Sequence, residues 1–141
     1  MTLKANVGDK VIVEKTVGEV DVTLFAGLSG DHYAAHTNHE FMKTSAYGQR
    51  IAHGALLVGY MSAASTRMIE YAQRNGQEGT PVALGYDRMR FLGPVFFGDT
   101  VTVDYTLTAV DHEKRRTTAQ INIRNQRGEL VAVAEGLLKW L

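Results

Sequence analysis

Four of the five histidines in this 141-residue chain, His32, His36, His39 and His53, crowd into one polar stretch together with Asp31. Histidine is the side chain that ordinarily changes charge near neutral pH, so several of them beside a carboxylate mark a place to look for proton chemistry. Three readings of the run from Asp31 to His39 compete. In the first, Asp31 caps a turn and the imidazoles are simply solvated. In the second the histidines bind a metal: His32 and His36 stand four residues apart and His39 follows at a spacing one helical face can share. The glutamate of a zincin-type helix is missing between them, however, and no metal is expected. In the third, Asp31 and His36 form an acid–base pair acting on a bound water. The carboxylate accepts one proton of the water while the imidazole relays the other, which is what adding water across a polarised double bond requires.

A second feature favours the third reading. Ile51-Ala52-His53-Gly54 leads straight into a long helical pattern, so the Gly54 amide is expected as an unpaired donor at a helix N-terminus, able to stabilise charge developing on a carbonyl oxygen. Glycine there permits close approach by a ligand, and it equally permits tight helix packing. Nucleophilic alternatives fare worse. The chain has no cysteine, which removes thiolate catalysis, disulfides and cysteine-ligated metal centres together. Ser29 lacks the Gly-x-Ser-x-Gly spacing of a nucleophile elbow, and neither a Gly-x-Gly-x-x-Gly nor a P-loop is present. Lys114-Arg115-Arg116 falls between two strands and reads as a solvated hairpin tip. Asp87, Arg88 and Arg90 alternate with apolar residues and read as partners in a structural ion pair.

The elements that must position these residues follow from periodicity. Lys10 to Thr16 alternates and is β-branched, a strand. Val22, Leu24, Phe25 and Leu28 recur at helical spacing after Asp21, a candidate cap, and Gly30 ends that helix. Residues 31 to 50 lack a sustained period, which predicts a loop with short helical turns lying over the domain. Residues 54 to about 74 carry the strongest helical pattern in the chain. Small residues fill much of the space between its apolar positions, so the helix is expected to be packed nearly all round, and Asn75-Gly76 stops it. Thr100 to Val110 alternates strictly, with Val101, Val103, Tyr105, Leu107 and Ala109 expected to face inward. Val82 to Phe91, Thr117 to Arg124 and Leu130 to Leu141 supply further strands.

Composition bounds the whole: 45% hydrophobic and 21% charged residues describe one globular domain, taken as residues 1–141. Fifteen Lys+Arg balance fifteen Asp+Glu, so nothing draws the chain generally to nucleic acid. The apolar part of the long helix is too short for a membrane span, and the N-terminus has no secretory pattern, so a cytoplasmic location is expected. About five long antiparallel strands and one matching helix predict an α+β fold, a sheet curled around a central helix. Its open strand edges predict a homodimer or larger homo-oligomer.

Several of these stretches carry a family likeness. Phe25-Ala26-Gly27-Leu28-Ser29-Gly30-Asp31, His36, Thr44-Ser45-Ala46-Tyr47-Gly48 and Ile51-Ala52-His53-Gly54-Ala55-Leu56 resemble the MaoC-like, (R)-specific enoyl-CoA hydratase family, as do Phe91-Leu92-Gly93-Pro94-Val95 and Gly98-Asp99-Thr100. The resemblance implies a hot-dog fold whose helical and loop overhang carries the active site. It implies reversible hydration of a trans-2-enoyl-CoA to the (R)-3-hydroxyacyl-CoA, with coenzyme A entering as part of the substrate and no other cofactor. It further implies Asp31 and His36 as the catalytic pair, the Gly54 amide as oxyanion hole and Ser62 as a supporting helix position, with Tyr33 and His53 as further candidates near the substrate. Where the family usually has Asp-x-Asn-Pro-x-His, this chain has Asp31-His32-Tyr33-Ala34-Ala35-His36, keeping the spacing but not the Asn-Pro. Dehydration of a branched or dicarboxylic hydroxyacyl-CoA, thioester hydrolysis, and acyl-CoA binding without turnover are the alternative outcomes.

Overall fold

The computed structural model describes residues 2–141. In chain order it has β1 (Lys10–Thr16), α1 (Glu19–Ser29), α2 (Ala34–Thr37), α3 (His39–Lys43), α4 (Gly54–Arg74), β2 (Pro81–Phe91), β3 (Thr100–Asp111), β4 (Arg116–Arg124) and β5 (Leu130–Trp140). The five strands form one antiparallel sheet in the order β1-β3-β4-β5-β2, leaving β1 and β2 at its edges. One side chain in two on β3 and β4 points inward: Val101, Val103, Tyr105, Leu107, Ala119, Ile121 and Ile123 are all buried. They meet Leu57, Met61, Ala64 and Met68, which recur at helical spacing along α4 and form one stripe of it. Truncating Met61, which is wholly enclosed, would cost about 2–5 kcal/mol.

Three local expectations need correction. The long helix is not packed all round: Ala55, Gly59, Ser62, Ala63 and Thr66 are exposed, because the sheet covers one side of α4 and nothing among the described residues covers the small-residue side. Ala109 is exposed rather than inward, because the β3–β4 register shifts between Leu107 and Ala109 and a bulge there ends the simple alternation. Asp21 does not cap α1 from outside. The helix starts earlier, Gly18 is its N-cap, and the Asp21 carboxylate reaches back to accept from the Gly18 amide at 2.8 Å. That bond, opposed by partial burial and aided by Lys15 at 3.2 Å, holds the carboxyl below the ordinary carboxylate value.

β2 is the irregular strand. Its pairing with β5 shifts between Ala83 and Gly85 and again between Asp87 and Arg90, and Arg88 sits at φ 49 with its guanidinium on Glu135 at 2.7 Å. That ion pair meets the structural reading of the Asp87–Arg90 segment. Of the basic run, Lys114 lies exposed in the β3–β4 turn, Arg115 ends that turn half-buried with its guanidinium on Leu141 O at 2.8 Å, and Arg116 already opens β4. After β2 the chain passes over the start of α4, tied down by the Leu92 amide on Val131 O at 2.8 Å and by Val95 O, which accepts from the Ala52 amide at 2.8 Å.

Candidate active site

Asp31 owes its place to the end of α1. Gly30 takes a left-handed conformation, φ 83, and its amide closes on Ala26 O at 2.9 Å, so the chain leaves the helix sharply at the carboxylate. The Asp31 amide bonds Ser29 Oγ at 3.1 Å, and the Tyr33 amide donates to Asp31 Oδ1 at 3.2 Å. This Asx-type turn uses one carboxylate oxygen and leaves the other for a ligand.

The next turn is α2. Its four residues present His36, and Thr37 Oγ1 secures it from below by donating to the carbonyls of His32 at 3.0 Å and Tyr33 at 3.2 Å. Ile51 then grips α2 from the side: its amide donates to Ala35 O at 3.1 Å, and its carbonyl accepts from His36 Nδ1 at 2.7 Å. A carbonyl only accepts, so Nδ1 carries the hydrogen and Nε2 of the neutral ring holds the free lone pair.

His53 comes next in the same stretch and is 1% exposed. Its Nε2 donates to the main-chain carbonyl of Asp31 at 2.9 Å, and its ring stacks on His36 with centroids 3.8 Å apart at 27°. A side-chain nitrogen or oxygen from each of Asp31, His36 and His53 lies within 4.8 Å of the other two. A single water making two hydrogen bonds of about 2.8 Å spans roughly 4.7 Å, so one water can touch both Asp31 and His36. The same three residues are poorly disposed as a metal centre. Lone pairs lie in the ring planes, and two nearly parallel stacked imidazoles do not aim them at one point, while His53 Nε2 is already committed to Asp31 O.

Gly54 opens α4. As its first residue it has no carbonyl a turn earlier to bond, and His53 supplies no side-chain cap, so the amide is available to a ligand. Gly54 and His36 line the same open cleft of about 270 Å3, walled by Tyr47, Leu57, Phe91, Leu92, Pro94 and Val95. The apolar wall suits a hydrocarbon chain, and the His36 ring and the Gly54 amide supply polar groups in the same cleft. An added Cβ at Gly54 would stand 2.8 Å from two carbons of the Phe91 ring, so any larger residue would displace the ring from the helix start.

The structure therefore brings together Asp31, His36, His53 and Gly54. Asp31 is exposed and sits beside His36 rather than among the lining residues. Tyr33 is 62% exposed, its ring edge-on to His36 at 6.1 Å, and lies outside the cleft lining. Ser62 is exposed, about 80° round α4 from Gly54 and roughly 12 Å along it, and lines neither cavity that includes His36. His39 belongs to α3, separated from α2 by Asn38, whose Oδ1 caps that helix through the Phe41 amide at 3.0 Å; this splits the His32, His36 and His39 face. Phe91 is not a functional candidate from its residue type; the signals for it are the Gly93-Pro94 break after a strand and its place in the Phe91–Val95 stretch that carries the family likeness.

Comparison with known proteins bears on the family and the fold. The family model described as MaoC like domain matches residues 3–128. A protein of Rhodospirillum rubrum named (R)-specific enoyl-CoA hydratase is 37% identical over 112 residues, covering 79% of this chain and 72% of the relative. One of the same name from Aeromonas caviae is 32% identical over 133 residues, covering 94% and 93%. The solved (R)-hydratase from A. caviae involved in PHA biosynthesis superposes with a TM-score of 0.82 at 31% identity, covering 97% of this chain and 98% of that one. The expected hot-dog architecture is thus met.

Proposed function

The chain belongs to the MaoC-like dehydratase family of hydro-lyases, and from that premise we propose that it adds water reversibly to a trans-2-enoyl-CoA, giving the (R)-3-hydroxyacyl-CoA. The carrying observation is the fixed His36 tautomer. With Nδ1–H held by Ile51 O, the Nε2 lone pair is left for proton transfer, in a ring that clusters with the Asp31 carboxylate. The thioester carbonyl accepts from the Gly54 amide, which draws charge toward oxygen and makes the β-carbon electrophilic. Asp31 and His36 Nε2 accept the two hydrogens of one water, and its oxygen bonds the β-carbon. The proton it loses rests on the pair and passes to the α-carbon from the same face. The acyl chain runs along Leu57 and Phe91. An acid–base pair and one amide suffice for this chemistry, so the reaction is read as needing no cofactor beyond the substrate's own coenzyme A.

The working unit is proposed to be a homodimer. The outer edges of β1 and β2, the small-residue face of α4, and Val20, Leu24 and Leu28, exposed at successive turns of α1, are what a second copy would cover. A monomer by light scattering would remove this proposal. No helix of the described residues is long and apolar enough to cross a membrane.

Crotonyl-CoA tests the reaction. Loss of the enoyl absorbance without release of thiol is the expected result, and Asp31→Asn and His36→Ala should each lower kcat by about 100-fold or more with folding intact. Free thiol instead would mean hydrolysis, and binding without turnover across a panel of enoyl-CoA esters would mean a non-catalytic acyl-CoA protein.

A further inference from the structure

Resting on the hydratase reading, we propose that His53 is the positioning residue of the site, setting the Asp31 main chain and the His36 ring plane together. Its ring is 1% exposed, yet among the described residues its Nδ1 has no hydrogen-bond partner. A buried acceptor left unmet weakens a fold, and an apolar ring of like size would avoid that loss. The Nε2–H bond to the Asp31 carbonyl offsets that loss, so the reason for a histidine here lies in what its ring holds.

Its two specific contacts do account for it. The ring's hydrogen bond, Nε2–H to Asp31 O at 2.9 Å, holds the residue whose side chain must present a carboxylate while itself lying in solvent. The stack on His36, 3.8 Å and 27°, limits rotation of that imidazole about its own axis. The Ile51 carbonyl fixes one edge of His36 at 2.7 Å, and the face of His53 fixes its plane. Two constraints of different kind are what a ring needs to aim a lone pair within the roughly 10–20° that proton transfer tolerates. Phe25, 4.7 Å away at 59°, backs the His53 ring. Because His53 is also the N-cap of α4, the residue beside the Gly54 amide carries both contacts, and pair and amide share one rigid origin.

The two contacts can be separated. His53→Phe keeps a ring to stack and loses the donor; His53→Gln keeps an N–H at about the reach of Nε2 and loses the ring; His53→Ala loses both. With crotonyl-CoA, Phe and Gln should each lower kcat about tenfold and Ala about a hundredfold, KM staying within about twofold. In NMR spectra of protein labelled at histidine, the His36 ring protons should lose their ring-current shift in the Gln and Ala variants and keep one in Phe. A folded His53→Ala protein with wild-type kcat, or with unmoved His36 resonances, overturns the proposal. If the wild-type chain turns over no enoyl-CoA, the hydratase reading fails, and the His36 resonances still decide the role of His53.

Discussion

Gly54→Ala puts a methyl group where the Phe91 ring now lies. The new Cβ would stand 2.8 Å from Phe91 Cδ2 and Cε2 and 3.0 Å from Cγ, whereas non-bonded carbons settle at roughly 3.5–4.0 Å. The ring must retreat by about 1 Å. Phe91 is 52% exposed, so it can swing toward solvent without disturbing the core, and alanine in a helix is favoured over glycine by up to about 1 kcal/mol. The melting temperature should therefore stay within a few degrees of wild type. Activity should not, because Gly54 and Phe91 line the same cleft beside the amide that takes the carbonyl oxygen. A misplacement of about 1 Å costs on the order of 100-fold in rate, which is about 2.7 kcal/mol. The assay is kcat/KM on crotonyl-CoA for Gly54→Ala, Phe91→Ala and the double variant. Phe91→Ala removes the atoms the methyl would meet, so the double variant should match Phe91→Ala, giving a coupling energy of about 2 kcal/mol or more. Full activity in Gly54→Ala, or an equal loss whether or not the Phe91 ring is present, would refute the steric argument.

Ala34→Pro should be tolerated and raise stability by about 0.4–1 kcal/mol in denaturant titration. Tyr33 already has the extended φ −55, ψ 140 that a residue before proline adopts, and Ala34 opens α2, where the amide hydrogen is not needed; a lower midpoint would contradict this. Asp99 should make stability fall in acid. Burial pushes its carboxyl up, but bonds from Gln126, the Phe96 amide and Arg127 outweigh that and hold it below the ordinary value. Its folded pKa thus lies below its unfolded one, near 3.9, so the stabilisation is present above that pH and is lost as pH falls through the folded value. Melting temperature against pH should fall less steeply below about pH 4 in Asp99→Asn than in wild type, and parallel curves would sink the assignment.

Much of this was legible because the signals are local. The strict alternation of Thr100 to Leu107 and the helical spacing after Gly54 are set by which faces are buried, and both elements formed where periodicity put them. Asp31 and His36 stood out because four of the five histidines cluster beside that carboxylate and because the stretch carries the family likeness. What failed to show has a common physical origin. The bulge that exposes Ala109 depends on strand pairing, and the early start of α1 at Glu19 on the Asp21 carboxylate reaching back to the Gly18 amide, where a cap from in front was the simpler reading. His53 offered little because its partner is a main-chain carbonyl, which any residue possesses. Phe91 read as an ordinary strand-end aromatic because its contact is with a glycine, where the information lies in a side chain that is missing. The small residues of α4 read as packed all round because sequence cannot distinguish a face covered by the same chain from one left open.

The exchange of the family's Asn-Pro for Tyr33-Ala34 bears on how the pair is held. A single turn such as α2 is far below the roughly 12–15 residues at which an isolated helix becomes even marginal in water, so its order must come from outside. Proline would supply some of that order through the chain itself. Here it comes from contacts that do not depend on the side chains at 33 and 34: the Ile51 amide on Ala35 O, Ile51 O on the His36 ring, the His36 amide on Tyr33 O, and the Thr37 hydroxyl on the carbonyls of His32 and Tyr33. Ile51 is itself fixed by its bridge to Phe96, and the adjoining Ala52 amide by Val95 O, so the clamp is anchored in the segment that also walls the cleft. Main-chain bonds survive substitution of the residues that make them. That is how α2 and the His36 ring stay clamped with Tyr33 and Ala34 in place of the usual pair, while Asp31 and His36 keep their spacing.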